Sequence, residues 1–317
     1  MKILDKLEPL LLLIAVATGL ILGRIESLEG IARALVSPFL TCMLLGLFWE
    51  VPLKDLRKSL QHVKFTCTSL AINFLWTPIF AWILSKILLG ESPPLALGFI
   101  LLLITPCTDW FLIFTGVSKG NVSLSVAILP LNLLIQIILL PIYILIFSGV
   151  WEGMEMYLIG KSAILVLVLP FAAAKIMKYL LLKNEKATNA IENIFGKRQF
   201  FWLFWAIVAM FASEKIFQSG YGTIFIQILP PLLIFFGITT IIARVTSVIL
   251  KFPFPDYVSL TFTTLARNSP LALAFAQKAF PEERLILLPL IIGPLFELPI
   301  LALIAQSLLI YGEKRKN

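Results

Sequence analysis

The chain has 317 residues, of which 59% are hydrophobic and 14% charged, and its mean hydropathy is +0.97. Apolar runs of this length exclude a soluble globular protein, because one water-facing surface cannot accommodate them. The formal net charge is +8, but the basic residues lie in short loops between apolar runs. This placement argues against a nucleic-acid-binding face and indicates a polytopic α-helical membrane protein.

Ten apolar segments predict ten membrane-spanning helices, since one span needs roughly 20 apolar residues. No low-complexity linker or additional soluble domain interrupts them, so we expect one membrane domain over residues 1–317. The approximate bounds are 9–23, 32–52, 64–89, 94–117, 122–149, 156–181, 199–213, 222–249, 255–279 and 284–311.

The distribution of Lys and Arg predicts the orientation of these spans. The side that holds both termini carries 18 of these residues, and the opposite side carries 7. Positively charged loops stay in the cytoplasm. We therefore expect a multi-pass protein of the cell membrane with both termini in the cytoplasm, which requires an even number of spans.

The fourth segment contains Thr105-Pro106-Cys107-Thr108-Asp109 in the middle of its apolar run. The proline removes a helix hydrogen-bond donor and disfavours helical geometry at the residue before it. The aspartate places a carboxylate at membrane depth, and the cysteine places a soft sulfur beside it. Non-helical backbone inside a bilayer is tolerated only where protein or a watery cavity satisfies its polar groups. A broken helix with such residues is typical of a transporter binding site.

The second half of the chain carries a matching interruption. Pro130 in the fifth segment and Pro289 in the tenth both lie in a Leu-Pro-Leu context, 159 residues apart. The same offset carries Pro106 close to Asn268 in the ninth segment, where polar residues and a proline again interrupt the apolar run. Since each half has five spans, we expect the second half to be an inverted repeat of the first. The expected repeats are residues 1–150 and 151–317.

Three ionisable residues lie at membrane depth, namely Asp109, Arg267 and Glu297. Charged groups there cost a few kcal/mol, so they face the protein interior and usually pair. Their formal charges sum to −1, so one proton or sodium ion would make the cluster neutral. Two interpretations stay open. Either one carboxylate pairs with Arg267 while the other binds the coupling ion, or Asp109 and Arg267 form a static bridge between the two helix breaks.

Neutral polar side chains in the same segments complete the candidate site. The predicted substrate- and ion-binding residues are Asn73, Cys107, Thr108, Asp109, Asn132, Arg267, Asn268, Ser269 and Glu297. No cofactor is expected, because the three cysteines form no Cys-X-X-Cys pair and the single histidine lies in a basic loop. An enzyme has little support, since Cys107 has no intramembrane histidine to activate it.

Four motifs spread along the chain occur together. They are Pro106-Cys107-Thr108 with Lys119-Gly120, Gly293-Pro294-Leu295-Phe296-Glu297-Leu298-Pro299, Asn73 with Pro78, and Asn132. Together they resemble the motifs of the bile acid:sodium symporter superfamily, and more closely those of its arsenite-efflux permease branch. The chain departs from that branch at Asp109-Trp110 and at Arg267, where the branch typically has other residues.

The resemblance implies a ten-helix fold with a core domain and a panel domain, in which discontinuous fourth and ninth helices cross. For the arsenite branch it implies proton-driven export, with essential roles for Cys107 and Glu297. A thiolate suits arsenite, because soft ligands bind soft, thiophilic centres.

The leading hypothesis is therefore a secondary transporter that exports arsenite by proton antiport. The alternative is sodium-coupled uptake of an organic anion, in which Arg267 pairs with the substrate carboxylate while Thr108, Asn268 and Ser269 bind sodium. In either case the expected partners are a small-molecule substrate and membrane lipid, with no nucleic acid.

Overall fold

The computed structural model describes residues 3–51, 53, 61–148, 156–181, 184–196, 198–214, 222–280 and 283–314. The regular secondary structure of these ranges is helical. The helices are α1 (Ile3–Leu22), α2 (Glu29–Glu50), α3 (Val63–Leu88), α4 (Pro93–Leu103), α5 (Trp110–Val117), α6 (Val122–Ser148), α7 (156–180), α8 (185–196), α9 (Gln199–Glu214), α10 (Gly222–Ile249), α11 (Phe254–Leu265), α12 (Ser269–Ala279) and α13 (Arg284–Lys314).

Seven helical stretches of the described ranges are long and apolar enough to cross a membrane, and Pro93–Leu103 is a shorter apolar helix. The seven are α2, α3, α6, α7, α10, α13 and the stretch Glu185–Ser213, which combines α8 and α9. This finding confirms the predicted all-helical, multi-pass membrane protein. The predicted bounds also follow the helices closely, as the segment 64–89 and the helix Val63–Leu88 illustrate. The count of ten spans and the inverted repeat stay predictions.

Two long helices contain a π-helical turn shortly before a proline. Residues Ile72–Trp76 in α3 precede Pro78, and residues Ile164–Val168 in α7 precede Pro170. A proline in a helix removes the N–H that would bond to the carbonyl four residues earlier. In α3 that carbonyl belongs to Phe74, and it accepts a hydrogen bond from the Tyr143 hydroxyl instead. The irregular turn is thus stabilised by a side chain of another helix.

The chain forms two compact units, each assembled from separate segments of the sequence. The first unit consists of Met1–Val51, Gly153–Ile226 and Pro270–Leu287. In it, the final carbonyls of α2 accept hydrogen bonds from α7. Lys175 Nζ donates to the Phe48 and Val51 oxygens at 2.6 and 2.8 Å, and Lys178 Nζ donates to the Trp49 oxygen at 2.8 Å. Two cations therefore satisfy the negative end of the α2 dipole.

The second unit consists of Pro52–Glu152, Gln227–Ser269 and Leu288–Asn317. Four of its helices (α3, α6, α10 and α11) meet in one buried apolar cluster. The cluster consists of Phe65, Ile72, Leu124, Ile128, Ala243 and Leu260. Helix α13 lies close against α4, because a Cβ on Gly293 would come within 2.6 Å of the Leu102 side chain. This close approach brings the next turn of α13, with Glu297, beside the end of α4.

Candidate functional site

The first break in the second unit lies between α4 and α5. Helix α4 ends at Leu103, and helical geometry resumes at Trp110. The buried Thr105 hydroxyl shares its one proton among the carbonyls of Leu101, Leu102 and Asn268, at 3.1, 3.2 and 3.3 Å. The first two carbonyls belong to the last turn of α4, whose final four lack helical partners. The threonine thus substitutes for the donors that the break removes.

The second break lies between α11 and α12, over residues 266–268, and the two breaks cross. The Cys107 main-chain N–H donates to the Ala266 oxygen at 2.9 Å, and the Asn268 N–H donates to the Thr105 oxygen at 2.7 Å. Pro106 and Arg267 form the centre of this short antiparallel bridge. The structure therefore places a break at each predicted position, and main-chain hydrogen bonds between the two segments satisfy both.

Arg267 lies at the crossing with only 2% of its surface exposed. Its guanidinium donates to three main-chain carbonyls: from Nη1 to Leu103 at 2.8 Å, from Nε to Leu265 at 3.1 Å, and from Nη2 to Thr264. The guanidinium carbon also lies 4.9 Å from the centre of the Phe235 ring, which favours a cation. The side chain therefore joins the C-terminal ends of α4 and α11.

Glu297 on α13 is buried beside the same crossing. Its Oε1 accepts a hydrogen bond from the Arg267 main-chain N–H at 2.7 Å. This N–H lies in the break, so the carboxyl satisfies a main-chain donor that has lost its helical acceptor. The sequence left open which carboxylate contacts Arg267, and the contact seen here runs from Glu297 to the main chain.

Cys107 places its sulfur at the start of α5, and its side chain is 4% exposed. The sulfur accepts hydrogen bonds from the main-chain N–H groups of Asp109 at 3.4 Å and Trp110 at 3.3 Å. These two contacts fix the position of the sulfur at the first turn of α5, inside the crossing.

Three polar residues extend the site along the crossing. The Asn268 side-chain amide donates to the Thr108 hydroxyl at 3.4 Å, and that hydroxyl donates to Oδ2 of the half-buried Asp109 at 3.4 Å. Ser269 is buried and begins α12. The structure thus brings seven predicted residues to one crossing: Cys107, Thr108, Asp109, Arg267, Asn268, Ser269 and Glu297.

The two remaining predicted residues lie on neighbouring helices. Asn73, in the π-helical turn of α3, donates to the Thr263 oxygen in the last turn of α11 at 3.2 Å. Asn132 is buried on α6, and its two side-chain polar atoms have no hydrogen-bond partner within the described ranges. The same holds for Gln136, one turn further along α6. Buried amides without partners are positions where water or a solute would bind favourably.

Phe235 is the residue of this region that the sequence did not reveal. It lies in an unbroken apolar helix, α10, and its ring contacts Phe80 of α3 with centres 6.3 Å apart. One phenylalanine among the 25 of the chain carries no local signal that marks it as the ring beneath a buried guanidinium.

One known protein family matches this chain over more than half of its length. The model of the sodium bile acid symporter family covers residues 37–220. The chain belongs to this family. It is therefore a transporter and not an enzyme, and the resemblance found in the sequence motifs is confirmed.

Two relatives extend the similarity of this symporter-family chain beyond the range of the family model. The arsenical-resistance protein Acr3 of Corynebacterium glutamicum is 24% identical over 337 aligned residues, which cover 98% of this chain and 90% of the relative. An uncharacterized protein of Bacillus subtilis, YbaS, is 22% identical over 260 residues, which cover 80% of this chain and 82% of the relative. Similarity to Acr3 thus includes both halves of the crossing.

Proposed function

We propose that this transporter exports arsenite from the cytoplasm in exchange for protons. The observation that supports the proposal is the position of Cys107. Its sulfur lies at the crossing of two broken helices and accepts two main-chain N–H groups at the start of α5. The full-length similarity to an arsenical-resistance protein points to the same substrate.

Arsenite in neutral solution is the uncharged acid As(OH)₃, and a thiol can bind it by exchange. The Cys107 sulfur bonds to arsenic, and its proton leaves with one arsenic-bound hydroxyl as water. A single As–S bond is reversed by water, which suits a carrier that must release its substrate. Soft sulfur ligands also select this centre over hard ions of similar size.

Glu297 is the proposed proton carrier. It is a buried carboxyl whose Oε1 accepts the Arg267 main-chain N–H. If a proton binds to the other oxygen, Oε1 remains an acceptor, because a carboxylic acid keeps acceptor capacity. Glu297 can therefore gain or lose a proton without releasing the main chain of the break.

Sodium-coupled uptake of an organic anion is the second candidate, and the buried amides of α6 favour it. The oxygens of Asn132 and Gln136 have no hydrogen-bond partner in the described part of the chain, and oxygens of this kind coordinate cations. One element of this candidate is weakened, because the Arg267 guanidinium already donates to three carbonyls. We therefore rank it second.

The test uses everted membrane vesicles with an acidic interior, in which export appears as uptake of radiolabelled arsenite. We expect the wild type to accumulate arsenite and a protonophore to abolish the accumulation. Cys107→Ser is expected to lower the initial rate by about tenfold or more, which corresponds to roughly 1.4 kcal/mol of lost interaction. Glu297→Gln is expected to remove the dependence on the proton gradient.

Cys67→Ser is the matched control, because Cys67 is an exposed thiol on α3. It should transport like the wild type. A Cys107→Ser variant as fast as the wild type would contradict the role of the thiol. If the vesicles accumulate no arsenite at all, arsenite is not the substrate. An inward sodium gradient with labelled organic anions would then test the second candidate.

A further inference from the structure

The guanidinium of Arg267 lies in a pocket of main-chain carbonyl oxygens. One acceptor, Leu103, is the last residue of α4, and two others, Thr264 and Leu265, end α11. The final four carbonyls of a helix lack helical donors. The other two of the last four carbonyls of α11 also have donors, since the Ala266 N–H donates to Phe262 and Asn73 donates to Thr263. The guanidinium thus donates to one carbonyl of α4 and two of α11 that helix geometry leaves without a donor.

The charge of this pocket matches one monovalent cation. Each helix C-terminus carries a partial charge of about −0.5, so two converging ends present about one negative charge. The buried Glu297 carboxyl, which accepts the Arg267 main-chain N–H, also favours a cation here when it is ionised. The face of Phe235, 4.9 Å from the guanidinium carbon, adds further attraction for a cation. Arginine stays protonated under all physiological conditions. The side chain therefore supplies a permanent positive charge where the two half-helices end.

Carbonyls at the C-terminal ends of broken helices are also the groups that coordinate sodium in membrane transporters. We propose that Arg267 is a resident cation: it occupies a monovalent-cation site formed by the Leu103, Thr264 and Leu265 carbonyls. The site consequently requires no free cation in this chain. Removal of the side chain should open the site to a small free cation such as Na⁺ or guanidinium. The proposal concerns the stability of the crossing and is independent of the transported substrate.

The test measures thermal unfolding of the purified protein in detergent. Wild type and Arg267→Ala are compared in choline chloride, with added sodium chloride or with guanidinium chloride at millimolar concentrations well below denaturing ones. We expect Arg267→Ala to unfold at a lower temperature. We also expect added Na⁺ or guanidinium to raise its midpoint in a saturable way, and to a greater extent than in the wild type, because a bound ligand stabilises the folded state.

Arg244→Ala is the matched control. Arg244 also lies over aromatic rings, 5.1 Å from Tyr257 and 5.4 Å from Tyr311, but its hydrogen bond goes to the exposed Tyr311 hydroxyl. Its loss should therefore create no additional cation response. If Arg267→Ala shows no greater response to either cation than the wild type does, the proposal is wrong.

A second comparison separates charge from hydrogen bonding and applies even if Arg267→Ala does not fold. Arg267→Lys keeps the positive charge with fewer donors, and Arg267→Gln keeps N–H donors without the charge. We expect the lysine variant to be the more stable of the two and the glutamine variant to gain more from added cations. A glutamine variant as stable as the lysine variant would show that hydrogen bonding alone fills the pocket, and would overturn the proposal.

Discussion

At the scale of single residues, the contribution of a buried hydroxyl to stability depends on which acceptor it hydrogen-bonds. Thr105 and Thr77 are both fully buried threonines. The Thr105 hydroxyl donates to two carbonyls at the end of α4. The Thr77 hydroxyl has no hydrogen-bond partner within the described ranges. Residue type and burial are the same, so the contacts alone distinguish the two positions.

This pair gives a prediction with an internal control. Thr105→Val should lower the free energy of unfolding by about 1–3 kcal/mol, because it leaves buried carbonyls without a donor. Thr77→Val makes the same change of side-chain shape and should leave the free energy of unfolding nearly unchanged. Thermal unfolding of both variants in one detergent checks this. Equal losses at the two positions would mean that the capping bonds of Thr105 contribute nothing to stability.

At the scale of helices, prolines do not by themselves decide where a helix ends. Pro38 lies inside α2, and three prolines lie inside α13. Helix α4, in contrast, ends at Leu103, three residues before Pro106, and there the partner segment offers the Ala266 carbonyl to the Cys107 N–H. A break inside a membrane therefore requires both a weak helical position and an external partner.

Glycines show the same dependence on neighbouring helices. A Cβ on Gly19 of α1 would lie 2.7 Å from the Val208 carbonyl oxygen and 2.6 Å from the Phe211 Cβ of α9. A Cβ on Gly237 of α10 would have no atom within 4 Å. Backbone atoms cannot move aside at low cost, so Gly19→Ala must separate two packed helices.

We therefore expect Gly19→Ala to lower the free energy of unfolding by about 1–3 kcal/mol. Gly237→Ala should be neutral or stabilising by up to about 1 kcal/mol, because alanine favours a helix more than glycine does. Unfolding midpoints of the two variants test this difference. A Gly19→Ala protein as stable as the wild type would contradict the close packing of α1 on α9.

At the scale of the whole molecule, the chain is a multi-pass transporter whose predicted orientation follows from its loop charges. The side predicted to be cytoplasmic carries 18 Lys and Arg residues, against 7 on the other side. This asymmetry predicts that both ends of the chain lie in the cytoplasm.

Reporter fusions measure this orientation. Green fluorescent protein fused after Asn317 should fluoresce, and alkaline phosphatase at the same point should be inactive. A phosphatase fused after Ser92, in the loop between α3 and α4, should be active, since that loop is predicted to lie outside. Active phosphatase at the C-terminus would show that the predicted orientation is wrong or that the number of spans is odd.

The sequence by itself determined the class of protein, the approximate bounds of its helices and the positions of both breaks. These properties are local: apolar runs define spans, and a proline with polar neighbours marks the point where a helix is weakest. The motifs that contain Cys107 and Glu297 also indicated the family, because each is a short run of neighbouring residues that can be recognised without its tertiary contacts.

Only the tertiary structure decided which groups the side chains of the site contact. Arg267 reaches the Leu103 carbonyl across 164 residues of sequence, and Asn73 reaches the Thr263 carbonyl across 190. A sequence shows that a buried cation needs compensation, but it does not show whether a carboxylate, an aromatic ring or a helix end supplies it. Here helix ends and Phe235 contact the guanidinium, because the two broken helices end at the same point in space, and the Glu297 carboxyl contacts the main chain of the same residue.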